Sequence, residues 1–165
     1  MYTMNEFYND VDAFNYLKGW NEKMDTRPSN IRMLIGDQLD LVGEELTEAC
    51  EAWDNMDDKE ILKESIDIIV TSLGLIQLLD RAGVDVGSAL EAVALNNLAK
   101  FYESVDKANE TCEYYSTEGV EAEVKEVYED DDGVVYAVIR KSDGKLLKPQ
   151  NHPKVDLSEY LKTEH

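Results

Sequence analysis

Residues 44–67 read EELTEACEAWDNMDDKEILKESID, and this stretch decides the fold. Glu45 and Glu48 stand three residues apart, as do Glu64 and Asp67. That spacing puts both members of a pair on one face of an α-helix. Between the pairs, Asn55 to Asp58 reads as a helix-to-helix turn, and the two pairs lie equally far from Met56 along their helices. A short connection favours antiparallel neighbours, which brings all four acids to one level of a helical bundle. Carboxylates converging on one spot repel and require counter-charge. Hard divalent cations with oxygen ligands suit them, Mg²⁺ first and Mn²⁺ as the alternative.

Working outward, helical periodicity runs over about 4–20, with Phe7, Val11, Phe14 and Leu17 or Lys18 on one stripe. Thr26 to Ser29 breaks the pattern, and Ser29 or Asn30 is expected to cap a helix over about 30–54. Its expected core stripe is Leu39, Val42, Leu46, Ala49 and Trp53, with Glu45 on its flank. A third helix over about 58–81 turns apolar nearly all round after Ile66, as a central buried helix does. Asp67 is therefore expected in apolar surroundings, where an acid needs a proton, hydrogen bonds or a cation. Ala82 and Gly83 end that helix, and Asp85 is placed to cap a fourth over about 86–102, whose stripe includes Ala89, Leu90, Val93, Asn97 and Lys100. A weaker helix follows over 104–117. From 120 the period changes to alternation, and Asp130 to Gly133 is a turn signal before the β-prone VVYAVIR, so 120–141 is read as a β-hairpin. Ser142 to Gly144 is a second turn, and 145–165 reads as extended tail with a terminal helical turn. The expected fold is mainly α with an appended hairpin: a helical bundle over 1–102, an inserted helix and hairpin over 103–141 and a tail over 142–165, within one structural domain.

The chain has 165 residues, 43% of them hydrophobic, enough for a real core. Its net charge of −20, from 36 acids against 16 bases, excludes nucleic acid and anionic membrane as expected partners. The same charge requires metal ions to mediate contact with a nucleotide. Cys50 and Cys112 lack metal-type spacing, and Cys50, in the apolar register of a helix, is expected as a buried free thiol. The N-terminal MYTMNEFYND lacks a basic start and an apolar run, and the longest uncharged run, Ile68 to Leu79, is too short for a bilayer. The expectation is a soluble cytoplasmic protein.

Other candidates have bland counterparts. A single Glu-rich face is usually a solvated face, and Glu44 and Glu51 keep that reading. Asn97 and Lys100 form a further i, i+3 pair, although a lysine near a helix C-terminus usually answers the dipole. Lys145 and Lys148, in the GKLLK segment at 144–148 taken as flexible, form either a solvated basic strip or a closure over phosphates. Trp20, Trp53 and nine tyrosines offer stacking surfaces, but helical spacing more often makes them core. The only histidines, His152 and His165, lie in the tail, so the Glu-x-x-His pairs of a di-iron bundle are missing. No Gly-rich phosphate loop or nucleophile elbow is present.

EELTE at 44–48 followed by ESID at 64–67 resembles the EExxE…ExxD signature of the all-α nucleoside triphosphate pyrophosphohydrolases. That superfamily includes MazG-like proteins, dimeric dUTPases and phosphoribosyl-ATP pyrophosphohydrolases. The chain is most similar to the MazG-like branch common in bacteriophages, through DIIVTSLG at 67–74, GVD at 83–85, VALNNLAK at 93–100 and SDGKLLKPQNHPKVDL at 142–157. It departs where NNLAK stands for the usual SNMSK, losing two hydroxyls, and residues 103–141 are an insertion relative to the shortest relatives.

The resemblance implies Mg²⁺-dependent hydrolysis of a (deoxy)nucleoside triphosphate to monophosphate and pyrophosphate, in nucleotide-pool control. It implies Glu45, Glu48, Glu64 and Asp67 as metal ligands, with Glu45 or Glu48 as the base toward the attacking water. Asn97 and Lys100, and more weakly Lys145 and Lys148, become contacts to the substrate. Lys100 would offset charge on the leaving pyrophosphate. It also implies a homodimer or homotetramer whose bundle is completed between chains. Two other readings stand beside it: phosphoribosyl-ATP hydrolysis, and a non-catalytic metal-binding helical module acting through protein contacts.

Overall fold

A computed structural model describes residues 2–25, 28–130 and 133–161. Among these are six α-helices, a two-stranded antiparallel sheet and a 3-10 turn, so the protein is mainly α with an appended hairpin, as the sequence predicts. The chain divides into two compact units, one reaching to Val86 and one over Gly87–Tyr160. No helix among the described residues is long and apolar enough to cross a membrane.

In the first unit, α1 (Met4–Leu17) begins in a capping box. The Glu6 backbone N–H donates to Thr3 Oγ1 at 3.2 Å, and the Thr3 N–H donates back to Glu6 Oε2 at 2.8 Å. Gly19, at φ +81°, turns the chain into α2 (Trp20–Asp25). Helix α3 (Pro28–Asp54) starts on a proline, whose fixed φ and missing N–H suit a first helical position. Ser29 and Asn30 therefore lie inside its first turn rather than capping it.

Helix α3 ends in a tight return. The Asp57 N–H donates to Ala52 O at 3.0 Å and the Met56 N–H to Trp53 O at 3.0 Å, with Met56 left-handed at φ +56°. Asp57 Oδ1 then accepts from the Lys59 and Glu60 N–H groups, both at 3.1 Å, and caps α4 (Asp58–Arg81).

Helices α3 and α4 form the principal packing pair. The buried face of α3 carries Leu34, Gln38 and Ala52, and that of α4 carries Glu64, Thr71, Gly74, Gln77 and Leu78. Trp20, Leu34 and Leu78 make the apolar cluster. Gly74 is needed there because a Cβ would lie 2.9 Å from Gln38 Nε2 and 3.2 Å from the Trp20 ring. The Gln38 amide donates to Thr71 O at 2.8 Å. Helix α1 is held to α4 by Asn15 Nδ2 donating to Gln77 Oε1 at 3.1 Å and by the Arg81–Asp12 ion pair at 2.6 Å.

This corrects the expected stripes. Leu39, Leu46 and Trp53 are exposed, Trp53 to 73%, and so are Phe14, Leu17 and Cys50. The reason is that α3 has only α4 packed along its length, with the short α2 near its start, and turns the Gln38–Glu45 face to α4. The neighbouring apolar stripe is left uncovered. Helix α4 likewise leaves Leu62, Ile66 and Ile69 exposed.

In the second unit, α5 (Val86–Leu98) ends four residues before the expected 102 and has no buried residue. Its stripe residues Leu90 and Val93 are exposed. Helix α6 (Val105–Thr117) packs on the hairpin of β1 (Ala122–Asp130) and β2 (Gly133–Arg140), around Tyr102, Ala108, Val138 and Leu147. The hairpin runs in register from Ala122 opposite Arg140 to Asp130 opposite Gly133, with an irregularity at 126–128; its tip at 131–132 lies outside the described residues.

The segment after it is not loose. The Arg140 N–H donates to Lys145 O at 2.9 Å and the Leu147 N–H to Val138 O at 2.8 Å, which lays 145–147 along β2. Arg140 clamps Asp143 through two hydrogen bonds and holds its carboxyl at a pKa of about 2. A 3-10 turn, Ser158–Tyr160, closes the described tail.

The left-handed Met56 tests the return between α3 and α4. Glycine adopts that conformation without a Cβ penalty, partly offset by its greater freedom in the unfolded chain. Met56→Gly is expected to stabilise the protein by about 0.5–1 kcal/mol, read as a higher denaturant midpoint at unchanged slope.

Candidate metal centre

Because the return at 55–57 is so short, α4 runs back along α3 and sets Glu64 opposite Glu45 and Glu48. One carboxylate oxygen from each of these three residues lies within 4.8 Å of the others. Their environments differ. The Glu64 side chain is 1% exposed, Glu45 is half-buried and Glu48 is exposed. Glu64 Oε1 accepts from Lys63 Nζ at 2.5 Å, while Glu64 Oε2 is buried with no hydrogen-bond partner.

Electrostatics follow the packing. The Glu45 carboxyl is pushed above the ordinary glutamate value, first by burial, then by the adjacent Glu64 carboxyl and by the charges of Asp67 and Glu48. The Lys63 ammonium holds Glu64 below the ordinary value, against the opposing effect of burial. Lys63 itself is pushed up, chiefly by the Glu64 hydrogen bond.

Of the four expected acids, three come together. Asp67 lies beside them rather than among them. It is 37% exposed, not in the apolar surroundings expected, and pairs with Lys63 Nζ at 3.3 Å. Helix α4 meets α3 with one face only, and Asp67 sits on the flank of that face. Lys63 is the participant that the sequence reading missed. Its spacing from Glu60 and Asp67, at i−3 and i+4, was the available signal.

The other candidates belong to the second unit. Lys100 Nζ donates to Asn97 Oδ1 at 2.6 Å, so these two meet. Lys145 and Lys148 have exposed side chains on the docked tail, where the Lys148 carbonyl accepts from Tyr115 Oη at 3.1 Å. The expected flexibility of GKLLK is thus replaced by pairing with β2. Of the tryptophans, Trp20 is core and Trp53 is open to solvent.

The donor set fits a hard divalent cation. All donors are carboxylate oxygens. Mg²⁺–O distances of about 2.1 Å place opposite ligands about 4.2 Å apart, so the observed spread of at most 4.8 Å needs only small side-chain rotations. The orphaned Glu64 Oε2 is the clearest sign of fit, since a buried carboxylate oxygen without a donor is destabilising until a cation meets it.

Residues 19–97, just under half the chain, match a family model described as phosphoribosyl-ATP pyrophosphohydrolase. That family belongs to the MazG-like all-α nucleoside triphosphate pyrophosphatase superfamily. The matched family is one of pyrophosphohydrolases, hydrolases of acid anhydrides, and is typically dependent on divalent metal. The matched segment contains all four acids and Asn97. Lys100, α6, the hairpin and the docked tail lie beyond it. No curated protein and no solved structure matches the chain.

Cation binding is expected to show as stability. At a hundredfold excess over Kd, Mg²⁺ adds about 2.7 kcal/mol, read as a rise in melting temperature that EDTA reverses. Glu64→Gln is expected to fold and to lose that rise. An equal rise in the variant would remove Glu64 from the centre.

Proposed function

We propose that this protein hydrolyses a (deoxy)nucleoside triphosphate to the monophosphate and pyrophosphate, using Mg²⁺ held by Glu45, Glu48 and Glu64, with Asp67 completing the set. The observation that carries this reading is the buried Glu64 carboxylate, which has one unpartnered oxygen and clusters with two carboxylates of α3. It lies within the segment that matches a pyrophosphohydrolase family. When bound, the cation offsets the charge of the triphosphate and acidifies water.

The chain's own residues supply the rest. Glu45, half-buried beside Glu64, is taken as the base of the two candidates. It takes the proton from the water that attacks the α-phosphorus, and exposed Glu48 is the alternative. Lys100 offsets the charge that gathers on the leaving pyrophosphate, with Asn97 fixing the ammonium through their hydrogen bond. Lys145 and Lys148 are auxiliary phosphate contacts.

The family description favours a second reading with the same chemistry, in which the substrate is phosphoribosyl-ATP. A pyrophosphate-release screen across dNTPs, NTPs and phosphoribosyl-ATP separates the two. Glu48→Gln and Asp67→Asn are expected to reduce kcat at least about 100-fold while the protein stays folded, and EDTA is expected to abolish turnover. Undiminished turnover in both variants would reject the site. A Mg²⁺-dependent melting shift with no turnover of any substrate would favour the non-catalytic module.

The assembly we infer is a homodimer or a homotetramer. Leu39, Leu46 and Trp53 on α3, and Leu62, Ile66 and Ile69 on α4, are large apolar side chains open to solvent at helical spacing. Burying such stripes against a second copy completes a bundle. Light scattering is expected to give a multiple of the 18.7 kDa chain mass. Leu46→Lys combined with Ile66→Lys is expected to give a monomer, and a monomeric wild type would reject the assembly. The setting we propose is a cytoplasm, that of the host if the protein is phage-encoded, in nucleotide-pool control.

A further inference from the structure

We propose that Lys63 is a built-in counter-ion that competes with the divalent cation for the acids of α4, and so sets the cation concentration at which the centre fills. The inference rests on reading the acids as a cation centre. It concerns a residue with no part in that reading.

One ammonium contacts three carboxylates. Lys63 Nζ lies 2.5 Å from Glu64 Oε1, 3.3 Å from Asp67 Oδ2 and 3.5 Å from Glu60 Oε1. Glu60 and Asp67 reach it because they stand one turn before and one turn after it on α4. Glu64, the adjacent residue, is reached by the long lysine stem bending toward the buried face.

Two of the three carboxylates belong to the proposed ligand set, so the lysine charge falls where the cation's charge is needed. A single positive charge at that point lowers the negative potential that draws a divalent ion. It satisfies Glu64 only in part, because Oε2 remains buried and without a donor. A cation that engages both Glu64 and the α3 acids does what the ammonium cannot.

Lys63 is also placed to give way. Its side chain is 54% exposed, so the ammonium can turn into water with little loss of packing. Without metal, Lys63 tempers the repulsion among the acids. With metal, it is displaced. A displaceable ammonium favours ions of high charge density, because a monovalent ion gains nothing over the lysine it replaces.

The test is calorimetric titration of the full chain with MgCl₂, beside thermal melting in EDTA. Lys63→Gln is expected to bind Mg²⁺ about five- to tenfold more tightly than wild type, the size of two partly exposed ion pairs. It is also expected to melt lower than wild type in EDTA and to regain the difference at saturating Mg²⁺. Lys63→Met, which keeps most of the stem, is expected to behave like the glutamine variant. Lys63→Arg, which keeps the charge, is expected to stay within about twofold of wild type. Unchanged or weaker Mg²⁺ affinity in both neutral variants, beside normal wild-type binding, overturns this inference alone. Absence of Mg²⁺ binding in wild type and variants alike overturns the cation centre and this inference with it.

Discussion

Burying Glu64 is the constraint on which the rest of the site depends. A carboxylate removed from water loses several kcal/mol of solvation unless opposite charge and hydrogen bonds replace it. Here one oxygen has the Lys63 ammonium and the other has nothing. The helix pair that carries it is fixed further along, where Gln38 is bonded to the Thr71 carbonyl and Gly74 admits Gln38 and Trp20 close to α4. The helix pair thus holds a charge in a place that a charge alone would not choose. An unmet oxygen on a carboxylate that clusters with Glu45 and Glu48 makes the arrangement useful for a cation.

Much of this was legible because it is local. Helical period and the short return at 55–57 place Glu45, Glu48 and Glu64 together with no knowledge of the remaining chain. The hairpin was legible for the same reason, since alternation on both sides of Asp130–Gly133 leaves few other foldings. Where the reading failed, the cause was non-local. Leu39, Leu46, Trp53 and Cys50 have the register of a core, but register does not say which partner covers which face. A helix apolar on two sides needs two partners, and α3 has only α4 packed fully along it. Asp67 shows the same effect in reverse, since an apolar neighbourhood in sequence became the flank of the packed face.

Lys63 and the docked tail teach a different lesson. A search for acids passes over the cation between them, although i−3 and i+4 spacing was visible. The pairing of 145–147 with β2 depends on a partner strand that exists only once the hairpin has formed, so GKLLK alone reads as loop. The matched family segment contains Lys63 but stops at 97, before the hairpin and the docked tail. The second unit's hairpin and tail are therefore built on contacts of their own: Tyr102 Oη donating to Thr111 at 3.0 Å, and Asn96 Nδ2 donating to the Pro153 carbonyl at 2.9 Å.

The most direct test of the central claim is anomalous diffraction from crystals soaked in Mn²⁺ as a stand-in for Mg²⁺. The account predicts a peak at coordination distance from carboxylate oxygens of Glu45, Glu48 and Glu64, with Lys63 Nζ withdrawn from Glu64. Peaks only elsewhere, or none, with the ammonium still seated on Glu64, would contradict it.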